Sequence, residues 1–222
     1  MDFGAMFQTW IGVLTRPGEE TFQSEAQKPN ATVVTALIWV VIATVIAGLL
    51  GFVRSLIFAP SASAIQSAIQ QADLPPEVAA QLSTIFSGGG VGAVVGAGVG
   101  GLLGLVFAPV FFLIGVAVLH LVARLLGGEG DFGNYSYLLA TFQAPITIIT
   151  ALLQFIPILG GCLAPILSIY SLVLAYFATK VAYSLTSGKA IAVVLIPLLF
   201  FTFLAICLAF VIAAALIPIF SN

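Results

Sequence analysis

His120 is the residue of this chain best suited to chemistry near neutral pH, because histidine gains and loses a proton in that range. It is the only histidine, and Arg124 follows it by one helical turn. One interpretation is an axial ligand for a haem or a chlorophyll. We prefer the other, a neutral histidine hydrogen-bonded inside the protein or near a membrane boundary. No His or Cys accompanies it at ligand spacing, so we expect no metal and no cofactor.

A second pattern with possible chemistry is Gly-Ala-Gly-Val-Gly-Gly at residues 96–101, which has the spacing G-x-G-x-x-G. We reject dinucleotide binding, because no strand pattern precedes it and no acidic residue follows about 20 residues later. The sequence also lacks a Gly-Lys-Ser/Thr phosphate loop and the H-E-x-x-H motif. No acidic residue lies inside an apolar run, where proton relays need one. We therefore expect no nucleotide and no enzymatic activity.

The charged residues lie almost entirely between long apolar runs. Only 6 basic and 8 acidic residues occur among 222, and 61% of the residues are hydrophobic. The mean hydropathy is +1.23. Ordinary soluble domains carry roughly 25% charged residues, and a membrane span needs about 20 mostly apolar residues. The net charge of −2 offers no basic patch for nucleic acid. These features predict an all-α, polytopic membrane helix bundle.

The apolar runs predict five spans within a membrane domain that covers residues 31–222. The run from Gly88 to Leu126 is the ambiguous one, because it is twice as long as one span needs and contains Pro109. It could be one protruding helix, one broken helix or two short spans. With five spans, five basic residues share the side of the amino terminus and only Arg54 lies opposite. The positive-inside rule favours this arrangement, with the amino terminus cytoplasmic and the carboxyl terminus extracytoplasmic. The predicted spans are 31–53, 97–123, 135–156, 159–179 and 190–217.

Residues 1–30 form an amphipathic segment rather than a span. Helical spacing predicts one apolar face made by Phe3, Met6, Phe7, Trp10 and Val13/Leu14. The segment either lies in the membrane interface or caps the cytoplasmic end of the bundle, and both alternatives need that face. Two further short amphipathic helices are predicted on the extracytoplasmic side, at 61–72 and 76–86.

A glycine zipper begins the long apolar run. Five glycines recur at every fourth residue, which puts them on one face of a helix and lets a second helix approach closely. The partner helix could belong to this chain, which we favour, or to another chain. The zipper consists of Gly88, Gly92, Gly96, Gly100 and Gly104.

The most specific stretch is Leu-Leu-Gly-Gly-Glu-Gly-Asp-Phe-Gly-Asn-Tyr at residues 125–135, followed by Pro145. Its glycines predict a tight turn between two spans, with Phe132 and Tyr135 as interfacial anchors. The stretch resembles the loop of the Yip family, the Ypt/Rab-interacting five-span membrane proteins. Trp10, Leu14-Thr15-Arg16-Pro17 and Phe22 resemble prokaryotic members as well. The residues similar to the family loop are Gly127, Gly128, Gly130, Phe132, Tyr135 and Pro145.

The resemblance implies an all-helical membrane domain without catalysis, in a prokaryotic plasma membrane. Eukaryotic relatives act in vesicle traffic and membrane shaping through Rab GTPases. This chain has Asp73-Leu74-Pro75-Pro76 where the family's Asp-Leu-Tyr-Gly-Pro motif is sought, so no Rab-binding residues are transferred to it. The first hypothesis is a non-enzymatic protein that organises the lipid bilayer or other membrane proteins. The alternatives are an accessory subunit of a larger membrane complex, and a small transporter or channel, which the lack of acids in the spans disfavours.

Overall fold

The chain folds into α-helices throughout the part that the structure describes. The computed structural model describes residues 3–58 and 89–220 and a few single positions between them, with side-chain surroundings left out at 89–102, 157, 159 and 211–220. Most of the helices predicted at 61–72 and 76–86 therefore lies outside the described residues. The described helices are α1 (Phe3–Thr15), α2 (Glu19–Ala26), α3 (Val33–Ile57), α4 (Gly89–Leu125), α5 (Phe132–Leu153), α6 (Pro157–Tyr183) and α7 (Ser187–Phe220).

Five of these helices are long and apolar enough to cross a membrane, which confirms the predicted multi-pass bundle. They are Val33–Ile57, Leu103–Leu125, Phe132–Leu153, Gly160–Tyr183 and Ser187–Phe210. The long run is a single helix of 37 residues that contains Pro109, which is the first of the three alternatives. At a rise of about 1.5 Å per residue, α4 is about 55 Å long and exceeds the hydrocarbon layer. The chain is an integral, multi-pass membrane protein.

The chain divides into two compact units, and the division passes through α3, α4 and α7. One unit comprises Met1–Gly48 and Gly104–Leu198, and the other comprises Leu49–Leu103 and Leu199–Asn222. The first unit contains the buried core and every contact discussed below. In the second unit the described side chains of α7 are largely exposed and apolar, among them Phe200 and Phe203, as a lipid environment requires.

The central helix of the first unit is α5. Every residue from Tyr135 to Phe142 is buried, so protein surrounds the full circumference of two helical turns. A span that faced lipid on one side would bury only one stripe. Helices α1, α2 and α6 all contact α5, and α6 makes the most extensive contact. The connection from α5 to α6 is only Gln154–Ile156, and Pro157 begins α6 with a ring that suits a first helical turn.

Candidate functional site at the amino-terminal hairpin

A buried carboxylate lies where α2 meets α5. Glu25 is only 7% exposed, and the hydroxyl of Tyr137 donates a hydrogen bond of 3.0 Å to its Oε2. The hydroxyl of Thr9 donates to the same oxygen at 3.3 Å. Lys28 Nζ lies 2.7 Å from Glu25 Oε1 and also donates to Thr9 Oγ1 at 2.9 Å. Both carboxylate oxygens are thus satisfied and the charge is paired, which burial of a carboxylate demands.

Aromatic rings fill the space around this polar cluster. Phe22 of α2 is fully buried, with its ring centroid 6.4 Å from that of Phe142 and 6.5 Å from that of Phe177. The ring of Trp10 meets Trp39 edge to face at 6.0 Å, and Trp39 lies 5.1 Å from the ring of Tyr137. Such aromatic pairs add about 0.5–1.5 kcal/mol each beyond the area they bury.

Three polar contacts fasten the hairpin of α1 and α2 along the α5–α6 pair. Asn134 Nδ2 donates to the carbonyl of Ala26 at 2.7 Å. Lys180 forms an ion pair with Glu19, and the hydroxyl of Tyr170 donates to the carbonyl of Leu14 at 2.7 Å. Tyr170 lies 13 residues before the end of α6, or about 20 Å along its axis. The hairpin therefore lies alongside the first half of α5 and the second half of α6, rather than only on their ends.

Helix α1 carries the predicted apolar residues on one broad face, and only one side of that face packs against the bundle. Met6, Trp10 and Val13 are buried against the bundle. Phe3, Phe7 and Ile11, spaced four residues apart, are 59%, 51% and 60% exposed. The sequence does not predict this division, because the two sides are adjacent on the helix and equally apolar. We call Phe3, Phe7 and Ile11 the exposed stripe.

The glycine-rich loop closes α4 in a Schellman motif. Gly127 has a φ of 87°, a left-handed conformation that glycine adopts without strain. Its N–H donates to the carbonyl of Arg124 at 3.0 Å, and the N–H of Gly128 donates to the carbonyl of Ala123 at 2.9 Å. These are the two bonds that define the motif and that satisfy the last carbonyls of a helix.

The other two loop glycines allow the loop to contact the end of α6. A Cβ on Gly130 would overlap the carbonyl oxygen of Ala182, and one on Gly128 would lie 2.8 Å from Tyr183 Cβ. Asp131 then begins α5, where its side chain accepts a hydrogen bond of 2.8 Å from the N–H of Asn134. This N-cap satisfies a free donor of the first helical turn.

Tyr135 was predicted to anchor the chain at the membrane interface, and this prediction is wrong because Tyr135 lies in the core. It is fully buried, its hydroxyl is 2.9 Å from Thr179 Oγ1, and its ring packs edge to face against Tyr183 at 4.9 Å. The residue is covered because α6 runs beside α5 here. Phe132 is partly buried against the core, and Pro145 lies buried within α5.

His120 contacts two of the same aromatic residues. Its Nδ1 is hydrogen-bonded to the hydroxyl of Tyr183. The imidazole ring also packs edge to face against the ring of Phe132, with 5.4 Å between the two centroids. This is the hydrogen-bonded arrangement preferred for it above. In the part of the chain that the structure describes, no group of three or more His, Cys, Asp or Glu could hold a metal ion. That His120 binds no cofactor stays a prediction.

The glycine zipper is described only in part. Gly88 lies outside the described residues, and Gly92, Gly96 and Gly100 lie on α4 where the side-chain surroundings are not described. No atom of the described residues lies within 4 Å of a Cβ placed on Gly104, so that end of the zipper is open toward them. The close packing predicted for the zipper stays a prediction.

The sequence was compared with models of protein families, with curated proteins and with solved structures. The family model described as Yip1 domain matches residues 11–209, which is most of the chain and includes the hairpin from Ile11 onward. The chain belongs to the Yip1 domain family. No curated protein and no solved structure matched it.

The sequence did not predict two residues of the site in this Yip1 domain. Glu25 and Tyr137 are 112 positions apart, and neither belongs to a motif that predicts a pair. The available signals were weak. Glu25 and Lys28 have the i, i+3 spacing of a helical ion pair, and Tyr137 is a hydroxyl-bearing residue within an apolar run.

Proposed function

We propose that this Yip1 domain organises the lipid bilayer without catalysing a reaction, and that the hairpin of α1 and α2 is the element that acts on the lipid. The observation that carries the proposal is the exposed stripe on a helix that is otherwise fixed to the bundle. A stripe of three large apolar side chains on a membrane protein is stable when it contacts acyl chains or the headgroup boundary.

The attachment of the hairpin determines what the stripe can do. Trp10, Phe22 and Glu25 are each less than 10% exposed, so the hairpin is held by packing and by paired polar groups. A helix held in this way occupies volume in one leaflet wherever the protein resides. Lipids of that leaflet must spread to accommodate it, which favours curvature or draws the protein to membranes that are already curved.

The distribution of charge supports a cytoplasmic position for the hairpin. Five of the six basic residues lie at one end of the bundle. Arg16 directly follows α1, and Lys28 follows the end of α2 by two residues. Arg124, Lys180 and Lys189 lie at the ends of α4, α6 and α7 that contact the hairpin or the glycine loop. Arg54, the sixth basic residue, is in the last turn of α3. By the positive-inside rule the hairpin end is cytoplasmic.

Cysteine labelling tests this orientation. On a background without Cys162 and Cys207, Asp131→Cys should resist a membrane-impermeant maleimide in intact cells and react after permeabilisation. Reaction of Asp131→Cys from outside intact cells would reverse the topology.

The polar groups of the site also support a non-enzymatic role. The carboxylate of Glu25 already accepts from Tyr137, Thr9 and Lys28, so no oxygen is left as a free base toward a substrate. Lys180 and Glu19 likewise pair with each other within the protein. This arrangement is suited to holding helices together.

Reconstitution into liposomes tests the proposal. At a fixed ratio of protein to lipid, the wild type should give smaller vesicles by electron cryomicroscopy than the double variant Phe7→Ser with Ile11→Ser. The substituted side chains are exposed, so the fold should survive. Gln8→Ser, also exposed on α1, is the matched control and should behave as the wild type. Equal vesicle sizes for wild type and double variant would contradict the proposal.

A second candidate function is that of an accessory subunit in a membrane complex. The open surface at Gly104 favours it, because a helix of another protein could pack there without a clash. Mass spectrometry of the protein purified in mild detergent separates the two functions. A second protein at fixed stoichiometry that is lost in Gly104→Leu would support the subunit role.

A further inference from the structure

A cavity of about 300 Å³ lies between α3, α4 and α5, in the first unit. Its wall combines small side chains, two aromatic rings and a few polar groups. Phe111 at its edge is 66% exposed, and Thr147 is exposed as well, so the cavity opens toward the surrounding lipid. The residues that matter below are Thr44, Ala108, Phe111, Phe112, Gln143 and Thr147.

The polar part of the cavity lies in the middle of the spans. Gln143 is 11 residues from the start of α5 at Phe132 and 10 from its end. Thr44 is 11 residues from the start of α3 at Val33. At about 1.5 Å per residue, each position is roughly 16 Å along its helix, which is about half of the hydrocarbon thickness.

The side-chain amide of Gln143 has no hydrogen-bond partner among the described residues. The neighbouring hydroxyls are already used, since Thr44 donates to the carbonyl of Val40 at 2.8 Å and Thr147 donates to the backbone carbonyl of Gln143 at 2.8 Å. An amide without partners in hydrocarbon is unfavourable by several kcal/mol. A ligand that accepts a hydrogen bond from the amide N–H would remove that cost.

We propose that this cavity binds a lipid of the quinone class, in which a flat ring carries carbonyl oxygens and an apolar tail. The carbonyl oxygen accepts from the Gln143 amide, and the ring packs against Phe111 and Phe112. The volume of the cavity is at the lower end of the range for ligand sites, and the cavity is too small to accept another helix. Phospholipid ester carbonyls lie at the interface, away from the centre of the hydrocarbon layer. A quinone is a membrane molecule whose carbonyl groups reach that depth.

Fluorescence provides the test, because quinones quench indoles. The only two tryptophans are Trp10 and Trp39, and Trp39 directly precedes the wall residue Val40. With the intact protein in phosphatidylcholine nanodiscs, titration with decylubiquinone should quench saturably, above the linear quenching caused by partitioning into lipid. Gln143→Leu keeps the size of the side chain and removes the amide, so the apparent Kd should rise about three- to tenfold, the effect of one hydrogen bond.

Two further variants make the result specific. Ala108→Phe fills the cavity and should abolish the saturable quenching, while Val110→Phe, an exposed position on the same helix, should leave it unchanged. Gln8→Leu is the matched control for the loss of an amide. Saturable quenching that is equal in wild type, Gln143→Leu and Ala108→Phe would overturn the proposal, as would its absence in the wild type. A last control uses phosphatidylcholine with brominated chains, which also quenches indoles. If this lipid quenches, if Ala108→Phe abolishes the quenching and if decylubiquinone does not displace the lipid, the cavity binds an acyl chain and the proposal is overturned.

Discussion

At the scale of single residues, the Glu25 cluster shows how a membrane protein keeps a charge next to its spans. The carboxylate lies on α2, which is outside the spans, but its partner Tyr137 lies on α5, inside one. A buried ion pair contributes little net stability, whereas the loss of one partner leaves the other group unsatisfied. The cluster therefore specifies where the hairpin binds more than how strongly it binds.

Tyr137→Phe tests this view of the cluster. The variant removes only a hydroxyl that donates to a charged oxygen at 3.0 Å, so the free energy of unfolding in detergent should fall by about 1.5–3 kcal/mol. Ser24→Ala on the exposed side of α2 should change it by less than about 0.5 kcal/mol. Thermal unfolding measured side by side checks both values, and an unchanged transition for Tyr137→Phe would show that Glu25 does not depend on this bond.

At the scale of elements, the hydropathy pattern predicted the spans and the glycine pattern predicted the turn after α4. Apolar runs of about 20 residues identify spans because the hydrocarbon layer sets their length, and the loop glycines predicted the turn that Gly127 makes. The same patterns were wrong about Tyr135, and they did not predict which side of the apolar face of α1 packs against the bundle. Which side of an apolar helix meets protein and which meets lipid depends on its neighbours, and both environments accept the same side chains.

The contact of the glycine loop with α6 gives a prediction with an internal control. Gly130→Ala would place a Cβ on the carbonyl oxygen of Ala182, whereas Gly161→Ala on α6 would meet nothing within 4 Å. The first substitution should lower the free energy of unfolding by about 1–3 kcal/mol, the usual effect of overpacking. The second should leave it unchanged or raise it by up to about 1 kcal/mol, because alanine favours a helix more than glycine does. Similar unfolding temperatures for the two variants would contradict this packing.

At the scale of the whole molecule, the family match and the structure both indicate a helical membrane protein, and the structure packs the amino-terminal hairpin against its spans. The match to the Yip1 domain begins at Ile11, so α2 and the last five residues of α1 lie within the matched region. The two aromatic residues of the exposed stripe, Phe3 and Phe7, precede the matched region.

The most direct test of the central claim is where the exposed stripe resides. Spin labels at Phe7→Cys and Ser24→Cys, on a background without Cys162 and Cys207, can be compared in lipid bilayers by their collisions with oxygen and with a water-soluble nickel complex. Because oxygen concentrates in lipid and the complex stays in water, the label at position 7 should favour oxygen and the label at position 24 the nickel complex. Equal, water-like accessibility at both positions would contradict the account.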